Sequence, residues 1–428
     1  MTMRRLFALC AILAAPRAVS GQQVEVTLED AVARALRVQP AIVQARGSLR
    51  NASAEKRSAL GAFLPSLTTS WAASRNNLTR IDQTTGRPVE PEYIHTLGFQ
   101  ANLLLFDALG RYSTLRSSAA QMDAADAGYV SQRFQVILET KQAFYAARAT
   151  EALVGVAEAQ VRRAEQQLQI AIEKLRAGSA TRSDSLRSVV EHGNARLALL
   201  QAQANLATAQ ANLGRQIGVE VPVRAAMDTV LPQLPDTALL RAEAVESAPA
   251  VQQTEAEARA ARHAVWGTRS QYFPTISLSF SDNYQGTGWP EFFGFDSYLE
   301  SFTWRFGLSW TVFNGFNRET QNTAAMVRRD VAEVQAADSR RQVNAQVTQQ
   351  LATLANSFLA IDIARDNVAA ATEDLRVQSE RYRVGASTIL DLLVSQAALT
   401  NAEVNLVQSI FDYVIARAAL ETLLGRTL

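Results

Sequence analysis

The chain has 428 residues, 48% of them apolar, and a formal net charge of +1. That length suits two or three ordinary domains or one elongated one, and the near-neutral balance excludes the basic field a nucleic-acid binder needs. A single cysteine, Cys10, rules out an internal disulfide, so stability must come from burial or assembly.

The first element is a leader. Residues 1–20 of MTMRRLFALCAILAAPRAVSGQQ read as a secretory signal peptide. Arg4 and Arg5 form its basic start, Leu6 to Ala15 is an apolar run of ten, and Ala18-Val19-Ser20 offers small residues for a cut after Ser20. Ten apolar residues are too few to span a bilayer as a helix. A short membrane anchor is the competing reading, and a lipoprotein signal fits less well because Cys10 follows Leu9 and comes too early. Loss of Arg4, Arg5 and Arg17 with the leader takes the formal charge from +1 to −2. No later run of 18 apolar residues occurs, so no transmembrane helix is expected.

Everything after the leader is written twice. RAGSATRSD at 176–184 returns as RVGASTILD at 383–391, an offset of 207. Pro40 matches Pro249 and Pro65 matches Pro274, both 209 apart, while Phe106 with Phe313 and Gly218 with Gly425 keep the offset of 207. The two-residue difference falls between Pro65 and Phe106, as a tolerant loop allows. The expected boundaries are a first repeat at 21–218, a non-helical connector at 219–241 holding Pro222, Pro232 and Pro235, and a second repeat at 242–428.

Each repeat opens with about 25 helical residues that run to a proline. Two alternating runs follow, with the period of a strand. Leu97, Phe99, Ala101 and Leu103 oppose Gly98, Gln100 and Asn102; Ile276, Leu278 and Phe280 oppose Ser277, Ser279 and Ser281. Phe302, Trp304, Phe306, Leu308, Trp310 and Val312 oppose Thr303, Arg305, Gly307, Ser309 and Thr311, and the run with Leu67, Thr69, Trp71 and Ala73 is weakest. Strands of about ten residues with one apolar and one polar face fit a transmembrane β-barrel; a water-soluble sheet on a core is the alternative. Trp289, Phe292, Phe293, Phe295 and Tyr298 fit either an interfacial girdle or a packed loop. Four strands cannot close a barrel, and an open edge is not tolerated in lipid, so the chain must assemble. Two copies give eight strands with a filled interior; three give twelve with room for a channel.

The long helices come next. The 72 residues from Phe106 to Gly178 would form a rod of roughly 105 Å. Val154, Ala157, Val161, Ala164, Leu168, Ala171 and Leu175 mark a heptad seam on the outgoing helix. Leu186, Val190, Gly193, Leu197, Leu200, Ala204, Ala207 and Ala211 mark the expected return seam, with Leu393, Ala397, Thr400, Val404, Val407, Phe411, Val414 and Ala418 as their equivalents. The outgoing helix lies antiparallel to two shorter ones stacked end to end.

Nothing marks an enzyme. His95, His192 and His263 are scattered and read as surface residues, and no phosphate loop, metal cluster or nucleophile motif occurs. No catalytic, cofactor-binding or metal residue is expected. Asn77-Leu78-Thr79 matches a glycosylation sequon that carries no weight in an outer-membrane setting.

The whole chain beyond the leader resembles the TolC-like outer-membrane efflux protein (outer membrane factor) family. The resemblance rests on TLEDAVARAL, on proline-then-strand at Pro65 and Pro274, on LLLFDALGR and WTVFNGFNR, on KLRAGSATRSDSL and RYRVGASTILDLL, and on the closing LLGR. It implies a mainly α fold with membrane β: duplicated antiparallel coiled-coil hairpins plus four strands, trimerising into a 12-strand β-barrel continued by a 12-helix α-barrel tunnel. The connector would lie in the mid-tunnel belt. It implies an outer-membrane homotrimer reaching into the periplasm and passively conducting cargo in a tripartite efflux or type I secretion system. Its partners would be a periplasmic adaptor (membrane fusion protein), an inner-membrane pump of RND, ABC or MFS type, and outer-membrane lipid. Drugs, metal ions, peptides and proteins all suit such a tunnel, though few Met and His argue mildly against a dedicated metal path.

On that footing Leu97, Phe99, Ile276, Leu278, Phe280, Trp304, Phe306, Leu308 and Trp310 are expected to face lipid, with Arg305 facing the lumen. The turns would sit at the periplasmic tip, where Gly178, Ser179, Ala180, Gly385, Ala386 and Ser387 admit an adaptor hairpin. Asp184 and Asp391 would line a closed gate that Arg182 holds shut; helix-start residues are the plainer reading of the same acids. The chain departs from the best-known members in stopping almost at Gly425, which implies no C-terminal addition to the belt, and in placing Val394 where some relatives carry a second acid. A periplasmic coiled-coil adaptor or scaffold is the alternative, but it would have one hairpin beside a compact β module rather than a duplicated plan.

Overall fold

The computed structural model describes residues 24–75, 80–81, 84, 86, 88–89, 93–226, 240, 245–287 and 298–428. The leader, the 77–79 sequon, Trp289, Phe292, Phe293, Phe295 and residues 227–239 of the connector lie outside them. In chain order the elements are β1 (Val24–Val26), α1 (Leu28–Val38), α2 (Pro40–Gly61), β2 (Ser66–Ser74), β3 (Arg80–Ile81), β4 (Pro88–Val89), β5 (Ile94–Phe106), α3 (Gly110–Arg176) and α4 (Arg182–Gln216). Then follow β6 (Val223–Ala225), α5 (Pro249–Arg269), β7 (Thr275–Gly286), β8 (Leu299–Ser309), α6 (Asn317–Arg383) and α7 (Ile389–Leu424). Pro40 and Pro249 open α2 and α5, where the missing N–H costs nothing and the fixed φ suits a helix. Both α3 and α6 run 67 residues, and their ends lie 207 positions apart.

Contacts divide the chain into two compact units. One comprises Met1–Ala35, Glu139–Leu231 and Ile361–Phe411; the other comprises Leu36–Leu138, Pro232–Ala360 and Asp412–Leu428.

The first unit is built from helical hairpins. Its core joins Val26, Ala31, Phe144, Ala147, Leu213, Ile217, Val223 and Ala225. A short parallel pair lies in this core, with Val24 opposite Val223 and Val26 opposite Ala225. Three-residue strands carry too little pattern to be read from sequence. Along the outgoing helix Ala157, Ala164 and Ala171 are buried, as the heptad spacing predicts, while Leu175 at the end of that seam is exposed. The return helix corrects the expectation. Leu186, Val190, Leu197 and Leu200 are exposed on α4, and the buried residues in that stretch are Ser188 and Ala195, with Gln210, Leu213, Gly214 and Gln216 buried farther along. Their equivalents on α7, Ser395 and Ala402, are buried as well, together with Leu392 and Leu399. Small residues let the helix axes approach closely, so the packed stripe runs through Ser and Ala while the larger apolar stripe of α4 turns away from its own chain.

The second unit carries a four-stranded antiparallel sheet of order β2-β5-β7-β8, which leaves β2 and β8 as edges, and the small antiparallel pair β3–β4. Register sets Trp71 opposite Leu97, Ala101 opposite Phe280, Phe280 opposite Trp304, Leu278 opposite Phe306 and Ile276 opposite Leu308. These side chains share one face. Gln100 opposite Ser281 and Arg305 opposite Ser279 mark the other. Where strands hand over to the long helices, two equivalent arginines tie the backbone. Arg111 donates to the carbonyls of Ala62 and Leu105 and lies 4.9 Å over the Phe63 ring. Arg318 donates to the carbonyls of Gln271, Thr311 and Val312 and lies 4.8 Å over the Tyr272 ring.

Candidate functional site

The two hairpin turns are built alike. Gly178 and Gly385 take left-handed backbone, at φ 74° and 82°. Each closes a Schellman motif: Gly178 and Ser179 donate to the carbonyls of Leu175 and Lys174, and Gly385 and Ala386 to those of Tyr382 and Arg381. Nothing lies within 4 Å of a Cβ placed on either glycine, so φ and not space demands glycine there. Ser179 Oγ donates to the Lys174 carbonyl at 3.2 Å and Ser387 Oγ to the Gln378 carbonyl at 3.4 Å. Gly178, Ser179, Gly385 and Ala386 are exposed; Ala180 and Ser387 are half-buried.

Both acids sit in capping boxes. The Asp184 carboxylate accepts from the N–H and hydroxyl of Thr181 at 3.1 and 2.8 Å, and the Asp184 N–H donates back to Thr181 Oγ1 at 3.2 Å. Asp391 repeats this with Thr388 at 3.0, 2.7 and 3.2 Å. The Thr388 hydroxyl and then its N–H, with a smaller contribution from Arg381, hold the Asp391 carboxyl below its ordinary value. Arg182 stands exposed at the start of α4.

The second hairpin carries a small core of Tyr382, Ile389 and Leu392, backed by Leu375 and Leu393. Lys174 of the first hairpin lies 4.2 Å over the Tyr382 ring and donates to the Tyr382 carbonyl. Burial, and next the Asp184 carboxylate, raise the Tyr382 phenol above its ordinary value. Farther along, Arg163 on α3 pairs with Glu403 on α7 at 3.0 Å and donates to Thr400 at 3.3 Å. These links join residues more than 200 positions apart, so no spacing in the sequence announces them.

On the sheet, Leu97, Phe99, Ile276, Leu278, Phe280, Trp304, Phe306 and Leu308 all lie on one face. Trp304, Phe306 and Leu308 are 63–68% exposed, with no protein layer over them. Trp310 lies just past β8 and donates its indole N–H to the Tyr272 carbonyl at 3.1 Å. Arg305 is on the opposite, polar face. The apolar face ends toward the β7–β8 connection, where Asp282 opposes Phe99 and Phe302 and Tyr284 opposes Glu300. His95 departs from expectation: it is buried, stacked on Trp71 with ring centroids 6.0 Å apart. The rings of Trp71 and Tyr93 shield it from solvent, which its position at a strand end does not suggest.

Among the described residues no group of three His, Cys, Asp or Glu is placed to hold a metal ion, and no helix is long and apolar enough to cross a membrane. The family profile described as "Outer membrane efflux protein" matches residues 18–219 and 240–426. The chain is 26% identical over 431 residues to the outer membrane efflux protein BepC of Brucella suis, covering 97% of this chain and 89% of the relative. It is 25% identical over 376 residues to the alkaline protease secretion protein AprF of Pseudomonas aeruginosa, covering 83% and 74%. Its fold matches the outer membrane protein VceC of Vibrio cholerae with a TM-score of 0.80 at 19% identity, over 94% of this chain and 96% of that one.

Proposed function

The chain belongs to the outer membrane efflux protein family, and from that we propose that it forms the passive exit duct of a tripartite efflux or type I secretion machine. It is an outer-membrane protein that extends into the periplasm, and its family consists of channels, not enzymes. One observation carries the assembled form: a four-strand sheet with two free edges and an exposed apolar face. Such a sheet is tolerated in lipid only when copies close it into a barrel. Three copies make twelve strands. The polar inner face, with Ser, Thr, Asn, Gln and Arg305, calls for a water-filled lumen, which eight strands leave little room for. The exposed Leu186, Val190, Leu197 and Leu200 stripe on α4 gives the neighbouring copy a helix face to pack on. The same trimer would continue as a 12-helix tunnel.

In this reading RAGSATRSD and RVGASTILD meet a periplasmic adaptor, which links the duct to an inner-membrane pump. The names of the relatives span efflux and protease secretion, so the cargo is a small molecule or a protein. Ser179 and Ser387 would stay small to admit the partner hairpin. Changing both to Trp should abolish export at unchanged trimer yield; export that survives both changes removes the adaptor contact from these turns. Asp184 and Asp391, six carboxylates per trimer, would also line the constriction that Arg182 holds shut. In a planar bilayer, Asp391→Ala should alter conductance or weaken divalent-cation block, and Arg182→Ala should raise the open probability. Currents like wild type in both would leave the acids as helix caps alone.

A further inference from the structure

All three non-glycine residues with positive φ among the described residues lie in two equivalent turns. Ala108 and Leu109, at φ 51° and 68°, lead from β5 into α3; Gly315 and Phe316, at φ 66° and 65°, lead from β8 into α6. Leu109 and Phe316 are equivalent under the offset of 207. A bulky residue in left-handed backbone is a true outlier, since Gly or Asn would take that conformation with less strain. Each turn nonetheless presents a large apolar side chain, and both are 67% exposed.

The strain is held in place by the backbone around it. The carbonyls of Leu109 and Phe316 accept the first helical bonds, from Ser113 at 2.9 Å and Thr320 at 3.1 Å. Asp107 Oδ2 accepts from the Arg111 N–H at 2.7 Å, and Asn314 Oδ1 from the Arg318 N–H at 3.4 Å. Arg111 and Arg318 then tie the strand ends as described. Strain that surrounding structure enforces at two equivalent sites points to a use for the side chain. Within the chain the Phe316 ring stands T-shaped to Phe313, with centroids 5.4 Å apart, and Phe313 is itself exposed.

The surface around both turns is apolar. Trp310 is the next outward position after Leu308, and Phe106 is opposite Ile276, so both extend the lipid face toward the turns. Phe106, Tyr112, Trp310 and Phe313 are all exposed there. Exposed apolar side chains thus recur from the sheet to the turns, at the end where strands give way to the long helices.

We propose that Leu109 and Phe316 are membrane anchors, held by strained turns so that their side chains enter the periplasmic leaflet of the outer membrane at the boundary of headgroups and acyl chains. The occupant is phospholipid, and the anchors fix the depth at which the sheet sits. The inference rests on the outer-membrane reading above. With aromatic and aliphatic side chains at that level, the turns do the work of an interfacial girdle.

The sole cysteine, Cys10, lies in the expected leader, so single nitroxide labels are simple to place. Leu109→Cys, Phe316→Cys, Leu308→Cys and Ser309→Cys are labelled in the assembled protein, reconstituted in phospholipid vesicles. Collision with oxygen, which concentrates in lipid, is compared with collision with a water-soluble nickel chelate. Leu308 should favour oxygen and Ser309 nickel; Leu109 and Phe316 should favour oxygen several-fold over Ser309, at a shallower depth than Leu308. Nickel-dominated access at both turns means water covers them, and shielding from both reagents means a neighbouring copy does; either overturns the proposal. If Leu308 and Ser309 do not differ, the membrane reading itself fails and the anchors fall with it. As a second measure, Leu109→Asn with Phe316→Asn suits the left-handed backbone and should keep assembly in detergent while vesicle insertion drops several-fold. Insertion equal to wild type counts against the anchors.

Discussion

Gly425 and Gly178 both hold left-handed backbone, at φ 65° and 74°, but their neighbourhoods differ. A Cβ on Gly425 would lie 2.4 Å from Cγ of Pro249, the first residue of α5, whereas a Cβ on Gly178 meets nothing. Gly178→Ala should therefore cost only backbone strain, about 1 kcal/mol. Gly425→Ala adds a clash with a ring fixed at a helix start and should cost about 3 kcal/mol. Thermal melting of the purified protein should rank wild type above Gly178→Ala above Gly425→Ala; equal melting of the two variants would mean that the Pro249 ring moves aside. Both glycines and Pro249 are legible in the sequence as repeat anchors, but the contact between Gly425 and Pro249 is not, because 176 positions separate them. The acids at the turns show a different lapse. Thr181-x-x-Asp184 and Thr388-x-x-Asp391 spell a capping box in plain text. Reading the acids by charge alone overlooks the threonines that bind them. Lys174 over Tyr382 gives no local sign at all.

Among the elements, the strands carry the plainest pattern. Alternation is strict where one face meets lipid and the other water, and β8 keeps it from Phe302 to Leu308. The two faces make opposite demands on a charge. An arginine facing lipid near mid-membrane costs roughly 2–4 kcal/mol, while one facing the lumen stays hydrated. Leu308→Arg should therefore lower the yield of assembled protein in the membrane fraction well below that of Ser309→Arg, its neighbour on β8. Equal yields would mean the faces are wrongly assigned. Helix seams carry a weaker pattern. Sequence reading follows the largest apolar residues, which on α4 leads to Leu186, Val190, Leu197 and Leu200. The chain instead buries Ser188 and Ala195, because close antiparallel helices select small side chains at the contact. The large stripe is unexplained within one protomer and becomes sensible only beside another. His95 fails for a different reason: it continues the apolar face of Leu97 and Phe99, but nothing local shows that Trp71 and Tyr93 will cover it.

At the scale of the whole molecule, duplication is what makes the architecture readable. The proline anchors, the glycine turns and the Phe106 and Phe313 junctions lie in one order in both halves, so each half checks the other. The parallel β1–β6 pair escapes this logic, since three-residue strands that pair across the chain leave no repeat signature. Assembly is likewise written only by implication. Each protomer leaves unsatisfied what a membrane channel must satisfy: two strand edges, an apolar sheet face and an apolar helix stripe. The proposed ring of three chains would answer all of these at once, with the sheet face in lipid and the edges paired. The most direct test is the mass of the protein extracted from outer membranes in mild detergent, by native mass spectrometry with intersubunit crosslinking as a check. The expected result is three chains per particle and loss of solubility without detergent. A dimer, or a monomer that stays soluble in plain buffer, would contradict it.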